Sequence, residues 1–159
     1  MDKCAGGERT WTVRYRVWRN EELPEEYRRL LDAARDAAGA AYCPYSQFAV
    51  GAALLLDNGE VVRGANQENV AYPSGLCAER TALFSAGAAF PSVAVRMLAI
   101  AAHRVGETEK VLAAPCGACR QVMAEVVRRQ GRPFDVVMQG AEETIVVKAD
   151  DLLPWSFDF

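Results

Sequence analysis

The sequence predicts an α/β sandwich built on a mixed sheet, and three observations carry that reading. Asp57-Asn58-Gly59 separates two apolar runs, the strongest short-range mark of a β-hairpin. Beyond that turn, helical and strand-like periods alternate along the chain. One stretch, residues 95–102, is almost continuously apolar, as a strand covered on both faces should be. With 159 residues, the chain has material for one domain with a good core and hardly for two, so 1–159 is read as a single unit.

The elements follow in order. Residues 1–9, with Cys4, are small and polar and are expected to be disordered at the start. Within an N-terminal extension over 1–20, Trp11 to Trp18 alternates apolar and basic side chains, the period of a half-exposed strand at a sheet edge. Glu21 to Ala41 reads as a helix: Pro24 is tolerated near its start, acids crowd its first turn and Gly39 loosens its end. Leu30, Leu31, Ala34, Ala37 and Ala38 give that helix its apolar stripe. Phe48 to Leu56 and Glu60 to Gly64 form the hairpin. Cys77 to Ala89 is a buried, Ala-rich helix, and Val95 to Ala102 the covered strand. Gly117 to Gln130 is a helix ending before Gly131 and Pro133. Phe134 to Gln139 and Thr144 to Lys148 are the last two strands.

Composition excludes several classes. About half the residues are apolar (51%) and the formal net charge is −3, which argues against a broad polyanion-binding surface. No run reaches the roughly 18 uninterrupted apolar residues of a membrane span. Five cysteines, two of them as Cys-x-x-Cys, with no secretory leader pattern, indicate reduced, metal-binding thiols in the cytoplasm rather than a disulfide framework.

Two short clusters carry the chemistry: Cys77-Ala78-Glu79-Arg80 and Pro115-Cys116-Gly117-Ala118-Cys119-Arg120. Each opens a predicted helix. A catalytic zinc takes three protein ligands and leaves a fourth position for water, and Cys77, Cys116 and Cys119 supply three. Glu79 is placed to handle protons on that water. A ligand-x-Glu followed by Pro-Cys-x-x-Cys is the layout of zinc deaminases. Taken singly, each piece has a plainer explanation. A lone Cys-x-x-Cys serves structural zinc sites and redox pairs, and a lone Glu79 is an ordinary solvated helix residue. A structural zinc site needs a fourth ligand. Cys4 and Cys43 lack ligand-spaced partners, and His103, the only histidine, ends an apolar run. Three thiolates overcompensate the metal charge. Helix N-termini favour thiolate, and Arg80 and Arg120, each following a cluster, are placed to hydrogen-bond sulfur unless they are plain surface arginines.

From about Ala41 to Phe157 the chain resembles the small, homotetrameric cytidine deaminases that act on free nucleosides. The matching residues are Pro44-Tyr45-Ser46 with Phe48, Val50-Gly51-Ala52-Ala53, Asn66-Gln67-Glu68-Asn69, the two cysteine clusters through Ala82 and Gln121, and Leu152-Leu153-Pro154 with Phe157. The resemblance implies a three-layer α/β/α sandwich around a five-stranded mixed sheet. It implies one Zn2+ per subunit and hydrolysis of cytidine and 2′-deoxycytidine to the uridines, with release of ammonia. It further implies that Asn66 and Glu68 hold the sugar hydroxyls, Phe48 packs on the pyrimidine, and the Ala78 N–H meets the base carbonyl. Phe157 and Tyr72 match residues that reach a neighbouring subunit's site or interface. Departures are the Tyr72-Pro73-Ser74-Gly75-Leu76 approach to the first ligand and the bulky Trp155. The apolar final segment 152–159, with Trp155, Phe157 and Phe159, is expected to dock on a partner chain.

Three other readings share parts of this pattern. One is a deaminase of another aminopyrimidine nucleoside such as blasticidin S; Arg80-Thr81-Ala82 and the Leu-Leu-Pro end favour cytidine. The second is a deaminase of bases in nucleic acid, opposed by the acidic balance and by Glu68, which would repel a phosphate. The third is a structural zinc module, opposed by the missing fourth ligand and by Glu79.

Overall fold

The computed structural model describes residues 7–158. The expectations for residues 1–6, including Cys4, and for Phe159 lie outside them. The elements run β1 (Tyr15–Arg19), α1 (Glu25–Ala38), β2 (Phe48–Leu56), β3 (Val61–Ala65), α2 (Ala78–Ala89), β4 (Val95–Arg104), α3 (Gly117–Gln130), β5 (Asp135–Gln139) and β6 (Glu143–Lys148). Short 3-10 turns lie at Asn20–Glu22, Tyr72–Ser74 and Ala149–Leu152.

The strands form one six-stranded sheet in the order β1-β6-β5-β4-β2-β3. β4 and β5 are parallel, joined through α3, and every other pairing is antiparallel. The expected count of five strands is thus one short. The sixth is the edge strand drawn from the N-terminal extension. Of the alternating 11–18 stretch only Tyr15 to Trp18 pairs, and the strand continues through Arg19, with partners Glu143 to Val147 of β6.

Side-chain alternation along the strands divides the core in two. Ala52, Leu54, Leu56, Leu98, Ile100, Val136 and Met138 point to the face covered by α2 and α3. Ala53, Met97, Ala99, Ala101, Val137 and Val146 point to the face covered by α1. This gives the three-layer sandwich. The stripe Leu30, Leu31, Ala34, Ala37 and Ala38 is the buried side of α1. That helix starts four residues later than Glu21, since Pro24 fixes the extended entry and Asn20–Glu22 is spent on a separate turn.

Two glycines set how closely helices approach the sheet. A Cβ on Gly51 would run into the backbone of α1 at Ala34 and Ala38. A Cβ on Gly64 would lie 2.5 Å from the Ala78 carbonyl oxygen and 2.5 Å from the Ala82 nitrogen. The second approach matters for chemistry, because it presses the first turn of α2 onto β3. The hairpin turn forms as read: Gly59 has φ +85°, and the Asn58 side-chain oxygen accepts from Glu60 N at 3.1 Å.

Candidate active site

Both cysteine clusters sit at helix starts. Cys77 is the N-cap of α2, and Cys116 the N-cap of α3 with Cys119 in its first turn. The two helix N-termini meet, and the three Sγ atoms lie within 4.8 Å of one another. Cys77 and Cys116 are 3.7 Å apart and Cys116 and Cys119 3.4 Å. Four-coordinate zinc at about 2.3 Å from each sulfur spaces its ligands about 3.8 Å apart, so these thiols fit the metal. Among the described residues no other group of three or more His, Cys, Asp or Glu side chains converges in this way. His103 lies in β4 opposite Ala49.

Cys77 and Cys119 shift in opposite directions in pKa. The neighbouring Cys119 thiol and the Arg80 guanidinium hold Cys77 down to about 5. Cys119 moves the other way, raised by its hydrogen bond to Cys77 and by burial. A metal bound by these sulfurs would displace their protons. Arg80 donates through Nη2 to Cys77 Sγ at 3.7 Å, while its Nε is buried without a partner. Arg120 does not meet the expectation of a bond to sulfur. Its Nε donates to Pro115 O at 2.8 Å and its Nη1 to Leu152 O at 3.2 Å, because its side chain runs back over the helix start toward free carbonyls. It braces the ligand loop through its backbone instead.

Glu79, in the first turn of α2, is 5% exposed. Burial, with the nearby Cys77 charge adding to it, pushes its pKa above the ordinary carboxylate range. It lines a cleft of about 610 Å³ together with Cys77, Ala78, Arg80 and Cys116, a volume within the span of small-molecule sites. Phe48, Asn66, Glu68 and Tyr72 line the same cleft.

The polar pair is tied into its surroundings. Asn66 follows β3; its Oδ1 accepts from Val50 N and its Nδ2 donates to Phe48 O, both at 2.9 Å. Glu68 Oε2 accepts from Tyr45 N at 2.9 Å and from Ser46 N at 3.2 Å. A hydrogen bond from the Ser46 side chain, followed by these amides, lowers the Glu68 pKa. Tyr45 and Ser46 therefore belong to the site, a role that their Pro-Tyr-Ser context did not reveal. Tyr72 and Tyr45 meet edge to face at the cleft mouth, ring centroids 5.9 Å apart. Phe157 is elsewhere, in the C-terminal segment held against α3: its N–H donates to Gln121 Oε1 at 2.9 Å, and Gln121 Nε2 donates to Phe157 O at 2.8 Å.

A family model described as the cytidine and deoxycytidylate deaminase zinc-binding region matches residues 24–130. The chain belongs to that family. It is 44% identical over 128 residues to the cytidine deaminase of Halalkalibacterium halodurans, covering 80% of this chain and 91% of that one. It is 48% identical over 103 residues to a cytidine deaminase of Mycobacterium tuberculosis, covering 63% and 71%. Among solved structures, the cytidine deaminase of Burkholderia pseudomallei superposes with a TM-score of 0.67 at 43% identity, over 85% of this chain and all (100%) of that one. The Mycobacterium tuberculosis enzyme does so with a TM-score of 0.66 at 33% identity, over 86% and 100%. The family match and the three converging thiols together make this a zinc-dependent deaminase of the hydrolase class.

Proposed function

We infer that this protein hydrolyses cytidine and 2′-deoxycytidine to uridine and 2′-deoxyuridine with release of ammonia, a reaction of pyrimidine salvage. The observation that carries the inference is the convergence, in one cleft of nucleoside size, of three thiols at metal-ligating separation and a buried carboxylate. The cytidine deaminases to which the chain is similar support it.

Cys77, Cys116 and Cys119 would hold the zinc, which when bound would supply Lewis-acid activation of water near neutral pH. The proton work falls to Glu79. Its carboxylate takes a proton from the attacking water and delivers it to ring N3 as the water oxygen bonds to C4. It then carries the second water proton to the exocyclic nitrogen. The C4–N bond breaks, ammonia leaves, and C4 keeps the oxygen as a carbonyl. A carboxylate whose pKa burial has raised suits a shuttle that must both accept and return protons.

The cleft orients the nucleoside. Phe48 offers its ring to the pyrimidine face. The Ala78 N–H, at the start of α2 and without an intrahelical acceptor, faces the base carbonyl. Asn66 spends one Nδ2 hydrogen on Phe48 O, and the second donates to a sugar hydroxyl. Glu68 accepts from a hydroxyl, and its charge turns away a 5′-phosphate. Arg80 tempers the thiolate charge, and Arg120 holds the ligand loop in place.

The assembly is a cytoplasmic homotetramer with Tyr72 and Phe157 at contacts between subunits. Support comes from the apolar residues at the surface: Tyr72 is 75% exposed, Phe157 67% and Trp155 93%. Among the described residues no helix is long and apolar enough to cross a membrane.

Substrate comparison tests the reading. Cytidine should be processed far more efficiently than free cytosine or cytidine monophosphate, because a site built around hydroxyls rejects ligands that leave its polar groups unpaired. Equal kcat/KM values for the three would overturn the nucleoside assignment.

A further inference from the structure

The turn that feeds β2 contains a residue whose backbone and side chain are both unusual. Gln47 has φ +54°, the left-handed region that L residues other than Asn and Asp seldom enter. Glycine is the ordinary choice there, yet the chain places a long amide. That amide is used: Nε2 donates to Pro44 O at 2.9 Å and reaches Cys43 O at 3.4 Å. Gln47 N also donates to Cys43 O at 3.0 Å, and Gln47 O accepts from Val105 N at 2.9 Å. The residue thus closes the 43–47 turn from inside and ties it to the end of β4.

What the turn presents is the Tyr45 and Ser46 amide pair, and both donate to Glu68 Oε2. Ser46 Oγ accepts in turn from Phe48 N at 3.1 Å. Tyr45, Ser46, Phe48 and Glu68 all line the cleft, and Gln47 does not. We propose that Gln47 is a positioning residue for the sugar. By holding the Cys43–Gln47 turn closed, it aims two backbone amides at Glu68 and so fixes the carboxylate that accepts from the nucleoside hydroxyls. The inference rests on the reading of Glu68 as a hydroxyl acceptor in a cytidine-deaminating site.

The test compares Gln47→Gly, Gln47→Glu and Gln47→Lys with the parent. Glycine tolerates the positive φ but deletes the donor. Glutamate keeps the length and replaces the donor with an acceptor facing two carbonyls. Lysine restores a donor on a stem long enough to reach them. Each zinc-loaded protein is assayed with cytidine and with 2′,3′-dideoxycytidine, which has no sugar diol. Uridine and 2′,3′-dideoxyuridine are titrated by calorimetry as a readout independent of turnover. Gln47→Gly should raise KM for cytidine and Kd for uridine about three- to tenfold, the range that loss of one hydrogen bond gives. Its kcat should stay within about twofold, as for lost uniform binding. Gln47→Glu should be at least as impaired, and Gln47→Lys should return to the parent. The dideoxy ligands should barely respond to any of the three.

Equal losses for diol and dideoxy ligands would reduce Gln47 to a fold-stabilising residue and overturn the proposal. So would unchanged cytidine kinetics and uridine affinity in Gln47→Gly or Gln47→Glu. A parent protein that leaves cytidine untouched would overturn the deaminase reading itself, a result distinct from either.

Discussion

At the scale of single residues the account depends on Glu79 and three thiols. Glu79 is buried in the first turn of α2, close enough to the thiols for the Cys77 charge to raise its pKa. Glu79→Gln is isosteric and removes only the proton traffic. Turnover should fall by about 10²–10⁴ or more, the contribution of a positioned general acid–base, while metal analysis still finds one zinc per chain. Activity within tenfold of the parent would refute the shuttle role. Cys116→Ser should lose most of its zinc, and His103→Ala should keep all of it, since His103 is in β4 and not among the converging ligand atoms. That Glu79 and the three thiols come together was legible in sequence, because ligand spacing and helix starts are local. The partners of Arg120 and of Glu68 were not. Each depends on which backbone groups a long side chain finds across the fold, Pro115 and Leu152 in one case and Tyr45 and Ser46 in the other.

At the scale of elements the site is held by the way α2 lies against β3. Gly64 lets the helix backbone come within contact distance at Ala78 and Ala82, and Ala78 and Glu79 form the first turn of that helix. Gly64→Ala should therefore cost about 1–3 kcal/mol of stability through overpacking, read from the denaturant midpoint. Because the displaced turn carries Glu79 and follows Cys77, kcat should fall as well. A stability loss with kcat unchanged would mean that the helix absorbs the methyl without moving its start. Most elements follow directly from period and turn chemistry. β2 and α3 span their predicted limits, and Asn58-Gly59 turns the hairpin. The shortfalls occur where pairing rather than pattern decides. The alternation over 11–18 promised a strand from Trp11, whereas pairing with β6 begins only at Tyr15, and β4 runs two residues beyond its apolar stretch because β2 continues to pair with it through Arg104.

At the scale of the whole molecule the exposed apolar residues support the proposed assembly. Trp155 is 93% exposed at φ +61°, and Tyr72 lines the cleft edge to face with Tyr45. Light scattering should report about four chains per particle. Phe157→Ala should raise KM for cytidine while zinc stays bound, since Phe157 is held against α3 outside its own cleft and is proposed to serve a neighbour's. A fully active monomer would show that the site is complete within one chain. The oligomeric state was not legible from composition, because an apolar tail does not say how many chains meet there.

The central claim is that one cleft combines a three-thiolate zinc site with a single carboxylate proton shuttle to deaminate cytidine. The most direct measurement follows ultraviolet absorbance and ammonia together, with purified zinc-loaded protein and cytidine. Each cytidine lost should yield one uridine and one ammonia, chelation of the metal should stop both, and Glu79→Gln with its zinc in place should form both at least about 10²-fold more slowly. Release of ammonia by metal-free protein, or by Glu79→Gln at the parental rate, would contradict the claim.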